Sequence, residues 1–307
     1  MRKRLQNRVA ESRLAFPITV VYSLVIWLFS GVLREGQYVQ LAIFIVSSMM
    51  MMLLNNSNSL IRIYSRMVSC TFMVLFCSAT FLFGSLNTII VQALFILFFL
   101  SILRSYQDKK SQGIVFYSFL CIGIASVFFV QILYYVPFLW LLLATNLMAM
   151  NHKMFWASVL GLVLPYWFLA GYCFLANRID EFVYHFEELI KFQPAFNYSD
   201  IDLNRILTFA LLSLFSFIGI VHFLRNSYLD KIRTRMIYEM FISVDILTII
   251  FVAVQPQHFD MLLPLLMIPT SCLYAHYIAL TKTRITNMFC ILSFLVTISL
   301  TIFNIIF

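Results

Sequence analysis

The chain has 307 residues, of which 62% are hydrophobic and 11% are charged, and its mean hydropathy is +0.93. This composition excludes a soluble globular domain and predicts an all-α fold, a polytopic bundle of transmembrane helices. The formal net charge of +8 at pH 7 would indicate nucleic acid as a partner of a soluble protein. Here we expect no nucleic-acid partner, because the basic residues follow a membrane topology, as shown below.

The charged residues are clustered and leave long apolar runs between them. Because a helix needs about 20 apolar residues to cross a hydrocarbon core of about 30 Å, these runs predict about eleven spans in one domain, 1–307. The predicted spans are 16–33, 38–54, 67–83, 88–103, 114–130, 132–150, 154–176, 206–224, 236–254, 261–280 and 285–307. The region 114–150 carries no charge and is divided near Gln131; without that division the count is ten.

The N-terminal segment 1–15 is basic and precedes a long run without a small-residue cleavage pattern, so we expect an uncleaved first span and a cytoplasmic basic tail. If successive spans alternate in direction from a cytoplasmic N-terminus, seventeen of the 21 Lys and Arg residues lie in cytoplasmic segments. The four on the outer side are Arg34, Arg178, Lys191 and Arg205. The positive-inside rule therefore supports a cytoplasmic N-terminus. Membrane lipids are the expected partners, with anionic headgroups assisting the orientation.

The segment 177–205 is the only long polar stretch between two hydrophobic blocks, and it holds six of the thirteen acidic residues. Within it, Phe182, Phe186, Leu189 and Ile190 recur at the spacing of one helix face. This pattern predicts a short amphipathic helix lying on the outer membrane surface. Its range, 180–192, is a candidate binding surface for another envelope protein.

Two acidic residues, Glu239 and Asp245, fall inside a predicted span, where ionisable groups are costly and are functional candidates by default. Glu239 follows Arg235 by four residues, the spacing of a helical ion pair. Asp245 lies about 13 Å deep, where it could bond to a neighbouring hydroxyl, stay protonated or line a polar path. Pro264 and Pro269 indicate either a broken helix of the kind found in transporters or a kink that serves packing.

On the outer side, Glu35 and Arg34 occupy a very short first loop, Arg178 opens the long loop, and His258 and Asp260 precede the tenth span. A carboxylate there could act as general base for a hydroxyl acceptor attacking a lipid-linked donor, with an arginine on the phosphate. Ordinary solvation of loops is the alternative for each of them.

Metal and cofactor sites are not indicated by the sequence. The six cysteines lie in apolar runs, no Cys/His cluster has the spacing of a metal site, and the remaining histidines are scattered. We therefore expect neither a metal nor a cofactor.

The region 43–143 resembles polytopic glycosyltransferases of the C-type fold. The similar features are the Asn-containing turn after IFIVSSMMMM, the basic hairpin RSYQDKK, the Gly113/Gly123 span and Pro137. The whole chain also resembles an uncharacterised family of bacterial inner-membrane proteins. The resemblance implies a polyprenyl-phosphate-linked sugar as substrate at the periplasmic face, with Glu35 as the catalytic base. The first outer loop is much shorter than in those enzymes, and Ser85-Leu86-Asn87 stands where a second acid is common.

Three functions follow from these observations. The first is a glycosyltransferase-like enzyme of envelope biogenesis, with Glu35 as base and Arg34 or Arg178 on phosphate. The second is a transporter or lipid flippase centred on Asp245 and the two prolines. The third is a non-catalytic membrane subunit that binds an envelope protein through 180–192.

Overall fold

The computed structural model describes residues 4–192, 194–199 and 201–306. This part of the chain is all-helical, with 81% helix and no strand, so the predicted all-α class is confirmed. The helices are α1 (Leu5–Glu11), α2 (Ala15–Phe29), α3 (Val32–Glu35), α4 (Tyr38–Asn58), α5 (Met67–Cys77), α6 (Leu86–Ile102), α7 (Gln112–Phe128), α8 (Val136–Thr145), α9 (His152–Leu175), α10 (Ile179–Glu187), α11 (Leu203–Asn226), α12 (Ile232–Val254), α13 (Phe259–Leu280) and α14 (Arg284–Ile306).

Seven helices of the described chain are long and apolar enough to cross a membrane, namely α4, α6, α9, α11, α12, α13 and α14. The pair α1 and α2 passes the same test together but is bent by 90°. Three further apolar helices, α5, α7 and Val130–Thr145, are shorter. Each predicted span therefore contains helix, but a count of eleven crossings stays a prediction.

Two features explain why the spans are shorter than the apolar runs. Helix α5 ends at Cys77, before the 3-10 turn Thr80–Leu82 and Gly84, so its 11 residues rise only about 16 Å. Helix α7 ends at Phe128 and the 3-10 segment Val130–Tyr135 follows, which places the break at Phe129, near Gln131 as predicted.

The chain divides into two compact units. Unit 1 comprises Met1–Ile89 and Tyr198–Phe307, and unit 2 comprises Ile90–Asn197. The prediction of a single membrane domain stays a prediction.

Helix α13 forms the centre of unit 1, where it packs against α5, α11 and α12. The most apolar window of this helix is 94% buried, so neighbouring segments surround the helix on all sides. Helix α13 continues without interruption through Pro264 and Pro269. The broken-helix interpretation is therefore wrong, and the prolines lie inside a packed helix.

The two ends of unit 1 are defined by contacts between segments distant in sequence. At one end, which we call the basic end, Arg62 Nη1 donates to the carbonyl of Leu229 at 3.3 Å, and Gln6 Nε2 donates to the carbonyl of Ile278 at 2.7 Å. At the opposite end, the hydroxyl of Tyr198 donates to the carbonyl of Ala253 at 2.9 Å. The segments at the basic end are those predicted to be cytoplasmic.

In unit 2, the parallel helices α7 and α9 approach closely at two glycines. A Cβ atom at Gly161 would lie 2.4 Å from the carbonyl oxygen of Phe116, and one at Gly123 would lie 2.8 Å from that of Leu162. Small residues allow such close approach between membrane helices, which associate through van der Waals packing. The close contact between α7 and α9 therefore requires glycine, which has no side chain, at positions 123 and 161.

The predicted amphipathic helix is present as α10, and it ends at Glu187, short of residue 192. The ring of Tyr166 on α9 contacts the rings of His185 and Phe186. Ile190 is 81% exposed, so it does not share the half-buried face that Phe182 and Phe186 form.

Replacing Gly161 by alanine tests the contact between α7 and α9. We expect Gly161→Ala to lower the free energy of unfolding by about 1–3 kcal/mol, because its methyl group meets backbone atoms that cannot move aside cheaply. Gly171 lies on the same helix with nothing within 4 Å of an added Cβ. Gly171→Ala is the matched control and should be neutral or stabilising by up to about 1 kcal/mol. Thermal unfolding in detergent measures both, and equal effects would contradict the assignment.

Candidate functional site

Helices α11 and α13 of unit 1 lie side by side because α11 carries a glycine at their contact. A Cβ atom at Gly219 would lie 2.9 Å from the Cβ and the carbonyl carbon of Leu273. Each helix carries a hydroxyl residue followed six positions later by histidine. These residues are Ser216 and His222 on α11, and Thr270 and His276 on α13. The close contact brings the two hydroxyls to one level and the two histidines to another.

Asp245 of α12 lies between the two hydroxyl groups. Thr270 Oγ1 donates to Asp245 Oδ1 at 2.7 Å, and Ser216 Oγ donates to Asp245 Oδ2. All three side chains are fully buried. A hydroxyl can both donate and accept a hydrogen bond, so this arrangement suits the carboxyl group with or without its proton.

Asp245 also lies deep within its helix. It is about 20 Å from the start of α12 and about 14 Å from its end at the standard helical rise. Of the alternatives that the sequence left open for this residue, the bond to a neighbouring hydroxyl is present, and it is made with two hydroxyls from two different helices. Whether it serves transport stays a prediction.

A second buried acid lies at the basic end of unit 1. Asp230, whose side chain is 2% exposed, pairs with Arg62 Nε at 3.2 Å and with His276 Nε2 at 3.1 Å. The ring of His222 lies 5.4 Å from that of His276, centroid to centroid. We call Arg62, His222, Asp230 and His276 the His–Asp cluster. In this cluster the Nε2–H group of His276 donates a hydrogen bond to the carboxylate of Asp230. The other ring nitrogen of His276, Nδ1, is buried and has no partner among the described residues.

The opposite end of unit 1 carries a third polar group. Arg205 of α11 forms a bidentate pair with Asp260, with Nε–Oδ1 at 2.8 Å and Nη2–Oδ2 at 3.0 Å. Arg205 also pairs with Asp202, and its guanidinium lies 5.0 Å from the centre of the Phe81 ring. Asp260, which was predicted to bind substrate, is therefore engaged in an ion pair with Arg205. The sequence pattern did not predict this pair.

These groups form a series along α11, which we call the polar column. Its levels are the Arg205–Asp260 pair, the Ser216–Asp245–Thr270 group and the His–Asp cluster. The 17 residues from Arg205 to His222 rise about 25 Å, close to the thickness of a hydrocarbon core of about 30 Å. Titratable groups thus occur at both ends and in the middle of one helix bundle.

Two cavities adjoin the His–Asp cluster. One, of about 460 Å³, is lined by Asp230 and Arg62, and the other, of about 780 Å³, is lined by His222 and Tyr277. Members of the cluster therefore line two cavities at the basic end, and the buried His276 contacts both Asp230 and His222.

The predicted catalytic base, Glu35, lies at the end of the four-residue helix α3. Gly31 with φ 88° precedes this helix and Gly36 with φ 68° follows it, so both turns use left-handed backbone that favours glycine. Arg34 and Glu35 are exposed, and Gln37 Nε2 donates to Glu35 Oε2. Gln37 is itself 6% exposed, so its buried amide orients the carboxylate. The two cavities described above are lined by other residues.

The remaining predicted residues have local partners. Arg178 pairs with Glu181 at 3.5 Å in unit 2, and His258 lies 3.0 Å from Gln257 in unit 1. Glu239 is exposed on α12. Its pairing with Arg235 stays a prediction, as do the catalytic and substrate-binding roles of the outer residues.

Metal ligation finds no support within the described residues, where no group of three or more His, Cys, Asp or Glu could hold an ion. The six cysteines are free and buried.

The His–Asp cluster could not be predicted from metal or catalytic motifs, because its histidines lie far apart in the sequence. The usable signal was the repeated spacing of hydroxyl and histidine on α11 and α13, two helices that run in the same direction. Asp230 gave no signal of burial, because it sits in a loop beside basic residues.

Comparison of the chain with protein-family models, with curated proteins and with solved structures gave no match. Its function is therefore inferred from its own residues.

Proposed function

We propose that the chain is a multi-pass membrane transporter in which the polar column of unit 1 carries protons during transport. The observation that carries this proposal is the placement of Asp245, fully buried in mid-helix and bonded to hydroxyls of α11 and α13. An ionisable group inside a membrane span is costly, and the usual reason for keeping one is an ion or substrate path.

The levels above and below Asp245 support the same function. Asp260 lies at one end of the column, and Asp230 with His276 at the other. Carboxyl and imidazole groups in succession are the usual components of a proton relay in pumps and transporters.

Access to Asp245 requires movement of the surrounding helices, because the side chain is fully buried. Helix α13 is suited to such movement, since Pro264 and Pro269 lack the N–H groups that would bond to the carbonyls of Asp260 and Leu265. Fewer backbone bonds have to break when this helix bends. Both of the missing backbone hydrogen bonds therefore lie in the half of α13 that precedes Thr270.

A second candidate function is a C-type glycosyltransferase-like enzyme acting on a polyprenyl-phosphate-linked sugar, with Glu35 as general base. The turn around Glu35 favours it, because two left-handed glycines and the buried Gln37 hold an exposed carboxylate in a defined position. Arg34 or Arg178 would contact the phosphate in this function.

The number of membrane crossings and their orientation are part of the same proposal. We infer eleven crossings in a bacterial inner membrane, with α5, α7 and α8 completing the seven long helices and the α1–α2 pair. The N-terminus and the basic end face the cytoplasm, and residues 177–205 face the periplasm. The contacts of α1 and of Arg62 with other basic segments support this alternation.

Replacing Asp245 by asparagine tests the transport proposal. In proteoliposomes with an imposed potassium diffusion potential, we expect the wild type to move protons, alone or with a solute from a panel. A luminal pH dye reports the flux. Asp245→Asn should reduce the flux by about 10²-fold or more, the scale of a lost proton-transfer group.

The matched control is Asp180→Asn, which alters an exposed acid on α10 and should leave transport unchanged. Thermal unfolding in detergent shows whether the Asp245→Asn protein is folded. A variant that transports at the wild-type rate, or a wild type no faster than protein-free liposomes, would rule out the proposal.

The topology is tested by single cysteines in a background without the six native ones. In intact spheroplasts, a cysteine at Asn197 should react with a membrane-impermeant maleimide, and a cysteine at Asn226 should react only after permeabilisation. The reverse pattern would invert the orientation.

The enzyme candidate is tested at Glu35. Because a base must ionise to accept the proton, Glu35→Gln should lower glycosyl transfer by about 10²-fold or more while the lipid donor still binds. Arg34→Ala should instead weaken donor binding. Transfer from a radiolabelled polyprenyl-phosphate sugar measures the first effect, and unchanged turnover in Glu35→Gln would exclude this residue as the base.

A further inference from the structure

The smaller cavity at the basic end of unit 1, which we call the loop cavity, lies between the segment that joins α4 to α5 and the start of α12. Its volume is about 460 Å³, within the range of about 300–1,000 Å³ typical of small-molecule sites. Residues from both segments line it, including Ser59, Arg62, Tyr64 and Lys231. It is larger than one inorganic anion needs.

The lining of the loop cavity is rich in hydrogen-bond donors. Arg62 uses Nε for Asp230 and Nη1 for the carbonyl of Leu229, which leaves the N–H groups of Nη2 for a ligand. The ammonium group of Lys231 has no ion-pair partner among the described residues. The hydroxyls of Ser59 and Tyr64 add further donors.

The carboxylate in the lining of the cavity is already occupied by protein donors. Asp230 is the one acid in its lining, and its two oxygens bond to Arg62 and His276. With Arg62 and Lys231 each positive and Asp230 negative, the lining carries a net charge of about +1. A cavity with spare donors and excess positive charge selects an anion that offers several acceptor oxygens.

The start of α12 adds to the same preference. Helix α12 begins at Ile232 and has no side-chain hydrogen bond at its N-cap, Lys231, and Thr234 of its first turn lines the cavity. The first N–H groups of a helix have no partner within it, and together with the helix dipole they favour a negative group.

We propose that the loop cavity binds a phosphate ester through Arg62, Lys231 and the first turn of α12. Arginine and lysine are the usual partners of phosphate oxygens. The remaining volume accommodates the group to which the phosphate is attached. That group is either the rest of a phospholipid headgroup, since the cavity lies where apolar helices end, or a soluble organic residue. The site shares Arg62 and Asp230 with the His–Asp cluster of the polar column, but its test measures binding alone and does not depend on the transport proposal.

The test uses purified, delipidated protein in an uncharged detergent and measures thermal unfolding. One arm adds glycerol 3-phosphate, with sodium chloride of equal ionic strength as the reference. The other arm adds phosphatidylglycerol, with phosphatidylcholine as the reference, and counts retained lipids by native mass spectrometry. Stabilisation and retention only in the lipid arm identify a headgroup, and stabilisation only by glycerol 3-phosphate identifies a soluble ester. Either result supports the site.

Variants then connect binding to the cavity. Arg62→Gln and Lys231→Ala should each weaken the apparent affinity by about tenfold, the scale of one charge-assisted hydrogen bond. Arg62→Gln removes a partner of Asp230 and could impair folding. Lys231 is exposed and unpaired within the described chain, so Lys231→Ala leaves the fold intact and keeps the test decisive.

The matched control is Lys153→Ala, which removes one exposed positive charge at the start of α9 and should bind as the wild type does. Three results would overturn the proposal. They are the absence of specific stabilisation in both arms, wild-type affinity in Lys231→Ala, or an equal loss in Lys153→Ala.

Discussion

A carboxyl group buried inside a membrane protein persists only where neighbouring helices supply its hydrogen bonds, and this constraint organises unit 1. Asp245 takes one bond from α11 and one from α13, so the three helices must keep a fixed register. That register depends on Gly219, because a side chain there would push α11 away from Leu273. Separating the two helices would leave the carboxyl group without a donor.

The same contact explains the His–Asp cluster. Once Ser216 and Thr270 are level, the helix repeat also brings His222 and His276 level, six residues further along. The loop after α11 then needs to supply only Asp230 to complete the cluster. One small residue in the middle of a helix therefore determines two polar sites that lie about 9 Å apart along the axis.

The sequence predicted those features that depend on local patterns. Long apolar runs between charge clusters predicted the helices, the polar stretch 177–205 predicted α10, and Gln131 marked a break in an uncharged region. The short length of α5 could not be predicted from these patterns, because Thr80–Leu82 folds as a 3-10 turn within an apolar run.

Features that depend on which helices are neighbours could not be predicted in the same way. The salt bridge from Arg205 to Asp260 joins residues 55 positions apart, and the pair of Arg62 with Asp230 spans a still larger separation. The central position of α13 depends on its packing, since its most apolar window is 94% buried and that of α14 only 22%, although both helices are long and apolar enough to cross a membrane. For a chain of this composition, the spacing of polar residues along each helix is more informative than their number.

Arg62 belongs at once to the His–Asp cluster and to the lining of the loop cavity. Its Nε atom bonds to Asp230, so an anion bound at Nη2 of the same guanidinium group is held at a fixed position relative to the buried carboxylate. Occupancy of the cavity and the arrangement of the cluster are then thermodynamically linked, and by reciprocity each changes the equilibrium of the other by the same factor. A single shared side chain is thus sufficient to couple a ligand in this cavity to the polar column.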